Sequence, residues 1–377
     1  PQTVKPDITL LNSRHRMPFG GFMARYAMEE VYEAVKQADT ALVFVNTRAQ
    51  AELVFQMLWE ENKEGLPIAL YHGSLSKEQR RKTESMMSQG VLRAIVSTSA
   101  LELGIDWGDV DLVIQIGAPK GVSRLLQRIG RANHRLDEPS KALLVPANRF
   151  EAVECRAAMN AIAAGELDGE PLLPGAMDIL PQFILNCACS KPASADEIYQ
   201  QVLDAAPYQS VSEEEFNKLW QFTVDGGYAL RAYERYQRME QNEDGLFSPA
   251  SKRVIQRHRQ NIGTIVEAGR LKVKRIRRGN QGKIIGEVEE YFAQQLVPGD
   301  TFLFAGEILK FEAIRDMQLH AKPTKGGEPK IPSYAGGQMP MSTFLAEGVR
   351  HILDKPESWK ALPGQVQEWL ELQQAFS

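Results

Sequence analysis

Cysteine is scarce in this sequence, and long apolar runs are missing. Three cysteines in 377 residues are too few for the disulfide framework of a small secreted protein. No apolar run reaches the roughly 18 residues that cross a bilayer, and no basic segment followed by an apolar one opens the chain. These absences fit a reducing compartment, and we expect a cytoplasmic protein that does not enter a membrane.

The sequence also lacks a complete metal-binding pattern. Cys187 and Cys189 are separated by one residue, but no second cluster of cysteine or histidine completes the four ligands of a zinc site. We interpret the pair as two small residues on a buried helix, and we predict no metal site.

The composition indicates a globular chain of two or three domains. Hydrophobic residues make up 43% of the chain and charged residues 24%. Both values lie close to globular averages, which excludes a disordered, collagenous or coiled-coil protein. Domains average roughly 150 residues, so the chain has room for a large buried core.

The net charge of −4 hides a strongly basic segment. Between residues 251 and 283, eleven lysines and arginines accompany a single acid, Glu267. This density favours a polyanion such as a nucleic-acid backbone over the alternative, a solvated basic face. Within this segment we predict that nucleic acid is bound by Lys252, Arg253, Arg257, Arg275, Arg277 and Arg278.

Residues 1–150 alternate between short apolar runs and helical patterns. The helical patterns cover 49–62, 77–88 and 122–129. Continuous apolar strands between helices are typical of a parallel sheet covered on both faces, so we predict an α/β domain. The predicted strands are Ala41–Asn46, Ile68–Tyr71, Arg93–Ser97, Asp111–Ile116 and Lys141–Val145.

The remaining sequence predicts two further domains. Residues 151–250 are mainly helical, and three helices before the Gly226-Gly227 turn (177–190, 194–205 and 212–226) indicate a winged-helix domain. Residues 251–377 predict a β-rich, barrel-like domain that is cut short, with strands at 272–276, 282–288 and 301–311 and two helices at its C-terminal end.

Four segments of the first domain carry recognisable motifs in a fixed order. They resemble motifs IV, IVa, V and VI of the second RecA-like lobe of superfamily 2 helicases. Because they follow predicted strands, we expect them at the edge where open α/β sheets bind ligands. The segments are Val43-Phe-Val-Asn-Thr-Arg48, Tyr71-His-Gly-Ser-Leu75, Ser97-Thr-Ser-Ala-Leu-Glu-Leu-Gly-Ile-Asp106 and Gln127-Arg-Ile-Gly-Arg-Ala-Asn-His-Arg135.

Small hydroxyl residues directly after a strand can hold a phosphate without reading a base. Thr98 and Ser99 stand at such a position, although helix capping is an alternative role for them. Earlier strands on the same edge end at Thr47, Arg48, His72 and Gly73. We predict that these six residues line a track for a nucleic-acid strand.

The resemblance also implies a nucleotide-binding side. Gly104 and Asp106 would face the nucleotide, and Gln127 would contact the other lobe. Arg128 and Arg131 lie three residues apart, on one face of a predicted helix. We predict that these two arginines stabilise the charge on a transferred phosphoryl group, in preference to the alternative of surface ion pairs.

One motif of ATP binding is missing from the sequence. There is no Gly-x₄-Gly-Lys-Ser/Thr phosphate loop, and Asp137-Glu138 follows motif VI rather than a strand in the magnesium-binding position. ATP and Mg²⁺ would therefore require a first RecA-like lobe, which we expect upstream. We predict that the 377-residue chain alone binds nucleic acid but does not hydrolyse ATP.

Further segments narrow the resemblance. Lys120-Gly-Val-Ser-Arg-Leu-Leu-Gln127, Asp300-x-Phe-Leu-Phe-Ala-Gly306 and Gly336-Gly-Gln-Met-Pro-Met-Ser342 resemble the large helicase-related (Lhr-type) DEXH-box helicases. Within them, the chain is most similar to the bacterial ligase-associated DNA damage response branch. The resemblance implies ATP-driven 3′-to-5′ movement on single-stranded DNA, unwinding of DNA or RNA:DNA duplexes, a role in DNA repair, and a DNA ligase as a possible associate.

Two alternatives remain open at this stage. One is a Ski2-like superfamily 2 RNA helicase, which shares the lobe motifs but is disfavoured by the β-rich domain after the winged helix. The other is a non-catalytic winged-helix module that binds nucleic acid, which has no use for arginines placed to act on a phosphoryl group.

Overall fold

The computed structural model describes residues 5–101, 110–132, 139–169, 174–233, 236–261, 263, 269–276, 282–334 and 341–376. The chain divides into two compact units: Pro1–Gly169 together with Ala268–Ser377, and Glu170–Glu267. The second unit is thus one continuous insertion in the sequence of the first. The predicted domain ranges 1–150, 151–250 and 251–377 differ from these divisions, which fall at 169 and 267.

The first unit contains a six-stranded, fully parallel sheet with strand order β1-β6-β5-β2-β4-β3. This confirms the predicted α/β fold. The strands are β1 (Asp7–Leu10), β2 (Ala41–Phe44), β3 (Ile68–Tyr71), β4 (Ala94–Ser97), β5 (Leu112–Ile116) and β6 (Lys141–Val145). The accompanying helices are α1 (Met28–Gln37), α2 (Arg48–Glu61), α3 (Lys77–Ser88), α4 (Val122–Ile129) and α5 (Arg149–Ala164).

Strand β2 shows why this sequence forms a sheet with two covered faces. All four of its residues are buried. Leu42 and Phe44 belong to one hydrophobic core, whereas Ala41 and Val43 belong to the other. Successive side chains of a strand point to opposite faces, so a continuous apolar run supplies both cores.

The second unit has the helices and the short hairpin of a winged helix. Three helices, α6 (Ile179–Ser190), α7 (Ala195–Leu203) and α8 (Glu213–Asp225), precede the antiparallel pair β7 (Met239–Gln241) and β8 (Phe247–Pro249). Helix α9 (Lys252–Gln260) follows. Serines cap α7 and α8, at Ser194 and Ser212, by accepting backbone N–H groups of their first turns.

A second, mixed sheet of five strands follows the winged helix in sequence, with strand order β10-β9-β13-β12-β11. Its neighbouring strands are antiparallel except for β13 and β9, which are parallel. The strands are β9 (Arg270–Ile276), β10 (Gly282–Glu289), β11 (Thr301–Phe304), β12 (Glu307–Arg315) and β13 (Gln318–Pro323), and the short helix α10 (Glu290–Gln294) follows β10. The predicted β-rich fold of this part of the chain is thereby confirmed, and its strands belong to the same compact unit as the parallel sheet.

The single strand predicted over 301–311 is wrong in one respect. The segment forms β11 and β12, which are joined by a two-residue turn at Ala305 and Gly306. Both turn residues have positive φ, 55° and 75°. Positive φ at both positions is the geometry of a tight hairpin turn whose twist matches the flanking strands.

Two C-terminal helices, α11 (Thr343–Asp354) and α12 (Gly364–Phe376), pack against the parallel-sheet lobe. Ile352 and Trp369 share a hydrophobic core with Leu42 of the central strand β2. Within the described ranges, no helix combines the length and the apolarity needed to cross a membrane.

Candidate nucleic-acid and nucleotide interface

Three of the predicted hydroxyl residues lie in the loops at the carboxyl edge of the parallel sheet. Thr98 directly follows β4 and is buried, and Ser99 begins a short 3-10 helix and is exposed. Thr47 is exposed and caps α2, where its hydroxyl oxygen accepts the N–H of Gln50 at 3.1 Å. Thr47 and Ser99 are therefore exposed in loops that follow two neighbouring parallel strands, β2 and β4.

His72 occupies a different environment from the predicted one. Its side chain is 0% exposed, and its Nε2 lies 3.1 Å from Oε1 of Glu52, which is also fully buried. His72 Nδ1 accepts the Ser74 N–H at 3.3 Å, so Nε2 carries the proton that is donated to Glu52. The imidazole therefore does not line a surface track.

The Glu52 carboxylate also binds the hairpin turn of the five-stranded sheet. Oε1 accepts the Ala305 N–H at 2.6 Å, and Oε2 accepts the Gly306 N–H at 2.8 Å. A buried carboxylate is stable when donors surround it. Because 253 residues separate Glu52 from Ala305, no local sequence pattern shows that the two are partners.

The loop after β3 also pairs directly with β10. Leu75 and Gly286 form an antiparallel bridge. The Glu287 N–H donates to the Ser74 carbonyl at 2.9 Å, and the Ser76 N–H donates to the Ile285 carbonyl at 3.1 Å. The predicted motif IVa loop is therefore part of the contact between the two sheets.

Arg48 lies beside this loop and is half-buried. Its guanidinium donates to Ser74 Oγ at 3.0 Å and stacks over the Tyr334 ring at 5.2 Å from the centroid. Gly73 is exposed, and a Cβ at this position would lie 3.9 Å from Arg48 Nη2. Gly73 therefore presents its backbone at the surface, whereas Arg48 holds the loop in position.

Arg128 is 1% exposed and lies inside the parallel-sheet lobe. Its guanidinium donates to Gln115 Oε1 and to Asn46 Oδ1, and it stacks over the Phe44 ring at 5.2 Å. Arg128 thus fixes the inner face of α4 to the ends of β2 and β5. The structure places it in the core, whereas the sequence predicted a residue that reaches a phosphoryl group.

Arg131, just after α4, is half-buried. Its Nε is shielded from solvent and has no hydrogen-bond partner in the part of the chain that the structure describes. Gln127 on α4 is exposed. Helix α4 ends at Ile129, so Arg131 does not share a helical face with Arg128 as predicted. The two also differ in their contacts, because Arg128 has partners inside the lobe and Arg131 keeps an unsatisfied donor among the described residues. Gly104 and Asp106 lie outside the described residues.

The N-terminus of α4 is held by an acid from a distant part of the sequence. Its N-cap residue is Gly121, which has no capping side chain. Asp168 Oδ2 accepts the Ser123 N–H at 2.8 Å, and Asp168 Oδ1 accepts the Ser342 hydroxyl at 2.6 Å. A Cβ at position 121 would lie 2.8 Å from Asp168 Oδ2, so a side chain there would have to displace the carboxylate. A carboxylate is favourable at this end of a helix.

Ser342 links this cap to the C-terminal helices. Its hydroxyl oxygen accepts the Leu345 N–H at 3.2 Å and so caps α11. Its own N–H donates to the Lys120 carbonyl at 3.1 Å. Asp168 therefore connects the start of the motif VI helix to the start of α11.

The basic segment separates into two environments. On α9, Lys252, Arg253 and Arg257 are exposed, and none of them forms an ion pair within the described ranges. Arg275 on β9 instead donates to Glu307 at 2.6 Å and is three-quarters buried. Arg277 and Arg278 lie outside the described residues.

One buried histidine adjoins these cations. The Nε2 of His258 on α9 is shielded from solvent and has no partner among the residues with described positions. Burial, followed by the nearby charge of Arg238, lowers the pKa of His258 below its usual 6.5. A protonated imidazole here would add a buried charge beside an arginine.

The cysteine pair predicted to be structural lies on α6, where Cys187 and Cys189 are half-buried. Burial raises the pKa of both thiols. Throughout the described ranges, no group of three or more His, Cys, Asp or Glu side chains is arranged to hold a metal ion.

Comparison with known protein families identifies the family of this chain. The family described as "Helicase conserved C-terminal domain" matches residues 25–135, and "Large helicase-related protein, winged helix domain" matches residues 160–331. ATP-dependent helicase Lhr-Core protein 2 of Thermococcus barophilus is 34% identical over 339 residues, covering 88% of this chain. The chain belongs to the Lhr family of helicases.

Members of the Lhr family from bacteria are also similar to this chain. The Lhr helicase/uracil glycosylase of Escherichia coli is 28% identical over 307 residues, covering 80% of the chain. The chain spans 39% of the length of the Thermococcus Lhr protein and 20% of the Escherichia coli one.

Solved structures agree with the Lhr fold. Mycobacterium smegmatis helicase Lhr bound to ssDNA and AMP-PNP is 29% identical, with a TM-score of 0.60 over 71% of this chain and 35% of that one. The DUF1998 helicase MrfA bound to DNA has a TM-score of 0.63 over 85% of this chain and 42% of that one, but only 17% identity, so it supports the fold alone.

Proposed function

We propose that this Lhr-family chain is the strand-holding part of an ATP-dependent helicase that moves 3′ to 5′ on single-stranded DNA. The observation that carries the proposal is the edge of the parallel sheet, where Thr47, Gly73 and Ser99 reach the surface from three strand ends. Hydroxyl and backbone groups there contact phosphates without reading sequence. The ssDNA bound by the Mycobacterium smegmatis relative supports this assignment.

We assign the strand contacts to fewer residues than the motifs alone suggest. Thr47, Gly73 and Ser99 would contact the strand through hydroxyl or backbone groups, and Thr98, which is buried, would support Ser99 beside it. His72 and Arg48 would act indirectly, because His72 is buried and Arg48 holds Ser74. Lys252, Arg253 and Arg257 on α9 would contribute charge. Arg275, Arg277 and Arg278 remain part of the proposal as secondary contributors.

The nucleotide side of the proposal rests on Arg131. A guanidinium with an unsatisfied, shielded Nε suits an anionic group that completes its hydrogen bonds. Gln127 is exposed on α4, which ends two residues before Arg131, and it would contact a first RecA-like lobe. Gly104 and Asp106 would face the nucleotide. ATP supplies the phosphoryl group whose transfer drives movement, and Mg²⁺ would be held by that other lobe.

Arg128 has a positioning role in this proposal. Its bonds to Gln115 and Asn46 fix α4 against the sheet, and α4 leads directly into Arg131. The cap from Asp168 fixes the other end of the same helix. Arg131 is thus presented by a helix that is held at both ends.

The biological setting is proposed from the family resemblance. Duplexes of DNA or RNA:DNA hybrids would be unwound in DNA repair, in the cytoplasm, as in the ligase-associated DEXH-box branch, with a DNA ligase as a possible associate. Co-purification of a ligase with the complete protein, from cells exposed to DNA damage, tests that association.

The strand-binding proposal is tested by the salt dependence of binding. Wild-type chain should bind single-stranded DNA with little sequence preference. Reversing Lys252, Arg253 and Arg257 to glutamate should flatten the plot of log K against log salt by about two units, because each phosphate neutralised on a single strand contributes roughly 0.7. Fluorescence anisotropy of labelled oligonucleotides gives both affinity and slope.

A matched control is available on the C-terminal helices. Arg350, Lys355 and Lys360 are exposed and form no ion pair within the described part of the chain. Their triple reversal changes the net charge equally and should leave the slope unchanged. If both triple variants change the slope equally, the charges of α9 act only through the net charge of the chain. If the wild-type chain does not bind single-stranded DNA, the proposal is refuted.

A further inference from the structure

The winged-helix unit exposes three aromatic rings within twelve residues. Phe222 on α8 is 46% exposed, and Tyr228 and Tyr233 in the following turns are 90% and 55% exposed. A ring exposed to this degree gains little from burial in the fold. Clustered exposed aromatic residues mark binding surfaces more often than single ones do.

The backbone holds this segment in a defined shape. Gly226 ends α8 with φ of 83°, and Gly227 follows with φ of 75°. The Arg231 N–H donates to the Gly227 carbonyl at 3.0 Å, and the Arg238 N–H donates to the Val224 carbonyl at 2.7 Å. The segment thus leaves α8 through two left-handed residues and is tied back to α8 before β7 begins.

Cationic side chains accompany the rings. The Arg231 guanidinium stacks over the Tyr228 ring at 5.6 Å from the centroid. The Arg238 carbonyl accepts the Ala250 N–H at 2.9 Å, which places Arg238 beside the start of the basic helix α9. Within the described ranges, neither Arg231 nor Arg238 forms an ion pair.

Asp225, a described acid beside this segment, forms no ion pair with these arginines. Asp225 at the end of α8 accepts the Gly227 N–H at 2.8 Å and the side-chain amide of Gln221 at 2.7 Å. Its carboxylate therefore holds the turn. Among the described residues, no acid neutralises Arg231 or Arg238.

Exposed tyrosines beside arginines that have no ion-pair partner among the described residues match the chemistry of a single strand. Unpaired bases stack on aromatic rings, and the phosphates between them bind guanidinium groups. A duplex offers no free base faces. A protein partner would call for a continuous apolar patch, whereas Arg231 and the phenolic hydroxyls interrupt this one.

We propose that Tyr228 and Tyr233, with Arg231 and Arg238, form a base-stacking site for single-stranded nucleic acid on the winged-helix unit. The inference rests on the proposed function, because it places part of the same strand on this unit. It adds a stacking contact to a binding mode that otherwise depends on phosphates alone.

The test compares Tyr228→Ala and Tyr233→Ala with Tyr291→Ala in the 377-residue chain. Tyr291 is 67% exposed on α10, in the other compact unit, and serves as the matched control. Base stacking on an aromatic side chain contributes about 1–3 kcal/mol per base, so each variant should bind oligo-dT about 5- to 150-fold more weakly than the control. Tyr228→Trp should retain wild-type affinity.

Two further readouts separate stacking from charge or misfolding. The slope of log K against log salt should stay at the wild-type value in Tyr228→Ala, since no charge is removed. The quenching of 2-aminopurine placed along the oligonucleotide should decrease in Tyr228→Ala and not in Tyr291→Ala. A far-UV circular dichroism spectrum identical to the wild type verifies the fold of each variant.

The outcomes distinguish the inference from the proposed function. If wild-type chain fails to bind single-stranded DNA, the proposed function is refuted, and this site with it. If wild-type chain binds and both tyrosine variants bind like Tyr291→Ala with unchanged quenching, the stacking site is refuted and the proposed function stands.

Discussion

At the scale of single residues, the two arginines of motif VI should differ in how much their replacement lowers the stability of the fold. Arg128→Ala leaves the buried Gln115 oxygen and the half-buried Asn46 oxygen without their Arg128 donor, and an unsatisfied buried acceptor costs about 1–3 kcal/mol. Arg131→Ala removes an Nε that has no partner in the described structure. Urea unfolding should therefore show a clear loss for Arg128→Ala and a smaller one for Arg131→Ala.

A reversed order would contradict this assignment. It would mean that Arg131 carries structural contacts and that Arg128 is dispensable to the fold. Arg128→Lys serves as an intermediate control, because lysine keeps the charge but lacks the planar guanidinium whose Nη1 donates to both oxygens and which stacks over Phe44.

His258 predicts a pH dependence of stability. The folded state lowers its pKa, mainly through burial, while the unfolded chain keeps a value near 6.5. Below pH 6.5 the unfolded state therefore binds more protons, and stability is lost as the pH falls through the lowered folded value. Each pKa unit of difference corresponds to about 1.4 kcal/mol. The urea midpoint should drop from pH 7.5 to 5.5, and less so in His258→Gln.

The control for this measurement is His351→Gln, at an exposed position on α11. It should reproduce the wild-type pH profile. The pKa of His320 is also lowered, by burial and then by Lys274 and Arg315, so His258→Gln should reduce the pH dependence without removing it. An unchanged profile in His258→Gln would show that the histidine is not the responsible group.

Residue roles were less predictable from sequence than the motifs that contain them. Motif VI identifies Arg128 and Arg131 as a pair, but the acceptor that buries Arg128 is Gln115 on β5. In the same way, Glu52 on α2 turns His72 inward. These partners belong to other elements, so their effect depends on packing that a local pattern does not contain.

At the scale of elements, the contact between Glu52 and the β11–β12 turn should be a strong one. Glu52→Gln keeps one acceptor oxygen and points an amide N–H₂ at a backbone donor or at His72. A buried donor left unsatisfied costs about 1–3 kcal/mol. We expect a loss of that size in urea unfolding, with faster hydrogen exchange at Ala305 and Gly306.

Glu60→Gln provides the control on the same helix, at an exposed position. It should match the wild type in both measurements. If hydrogen exchange at the turn is no faster in Glu52→Gln than in the wild type, the two sheets are held together without the carboxylate.

Elements with strong local signals were predicted closely, and the others were missed. Helix α3 and strand β3 have the predicted bounds of 77–88 and 68–71. Strand β1 is four residues long and pairs only with β6, more than 130 residues later. The turn at Ala305-Gly306 was overlooked because Ala305 adopts positive φ without being glycine or asparagine.

At the scale of the whole molecule, ATP turnover should depend on residues that this chain lacks. The 377-residue chain has no phosphate loop, so ATP hydrolysis should remain at the buffer rate with and without single-stranded DNA. When a first RecA-like lobe is supplied in the complete helicase, turnover should appear. Arg131→Ala should then reduce kcat by about 10³-fold, the scale of an arginine acting on a phosphoryl group.

DNA affinity is the control in the complete helicase. Arg131→Ala should leave it unchanged, because Arg131 is assigned to the nucleotide side. Parallel losses of turnover and DNA affinity would instead indicate a structural role. Turnover by the isolated chain would overturn the assignment of its parallel sheet to the second lobe.

The cap on α4 has a mechanical consequence. Asp168 precedes by only two residues the point where the chain enters the inserted winged-helix unit, and the same carboxylate binds Ser123 and Ser342. If the insertion binds the strand as proposed, a pull on the chain at residue 170 would act two residues away from the carboxylate that holds the start of α4. Asp168 would then be the residue through which such a pull could reach the helix that leads to Arg131.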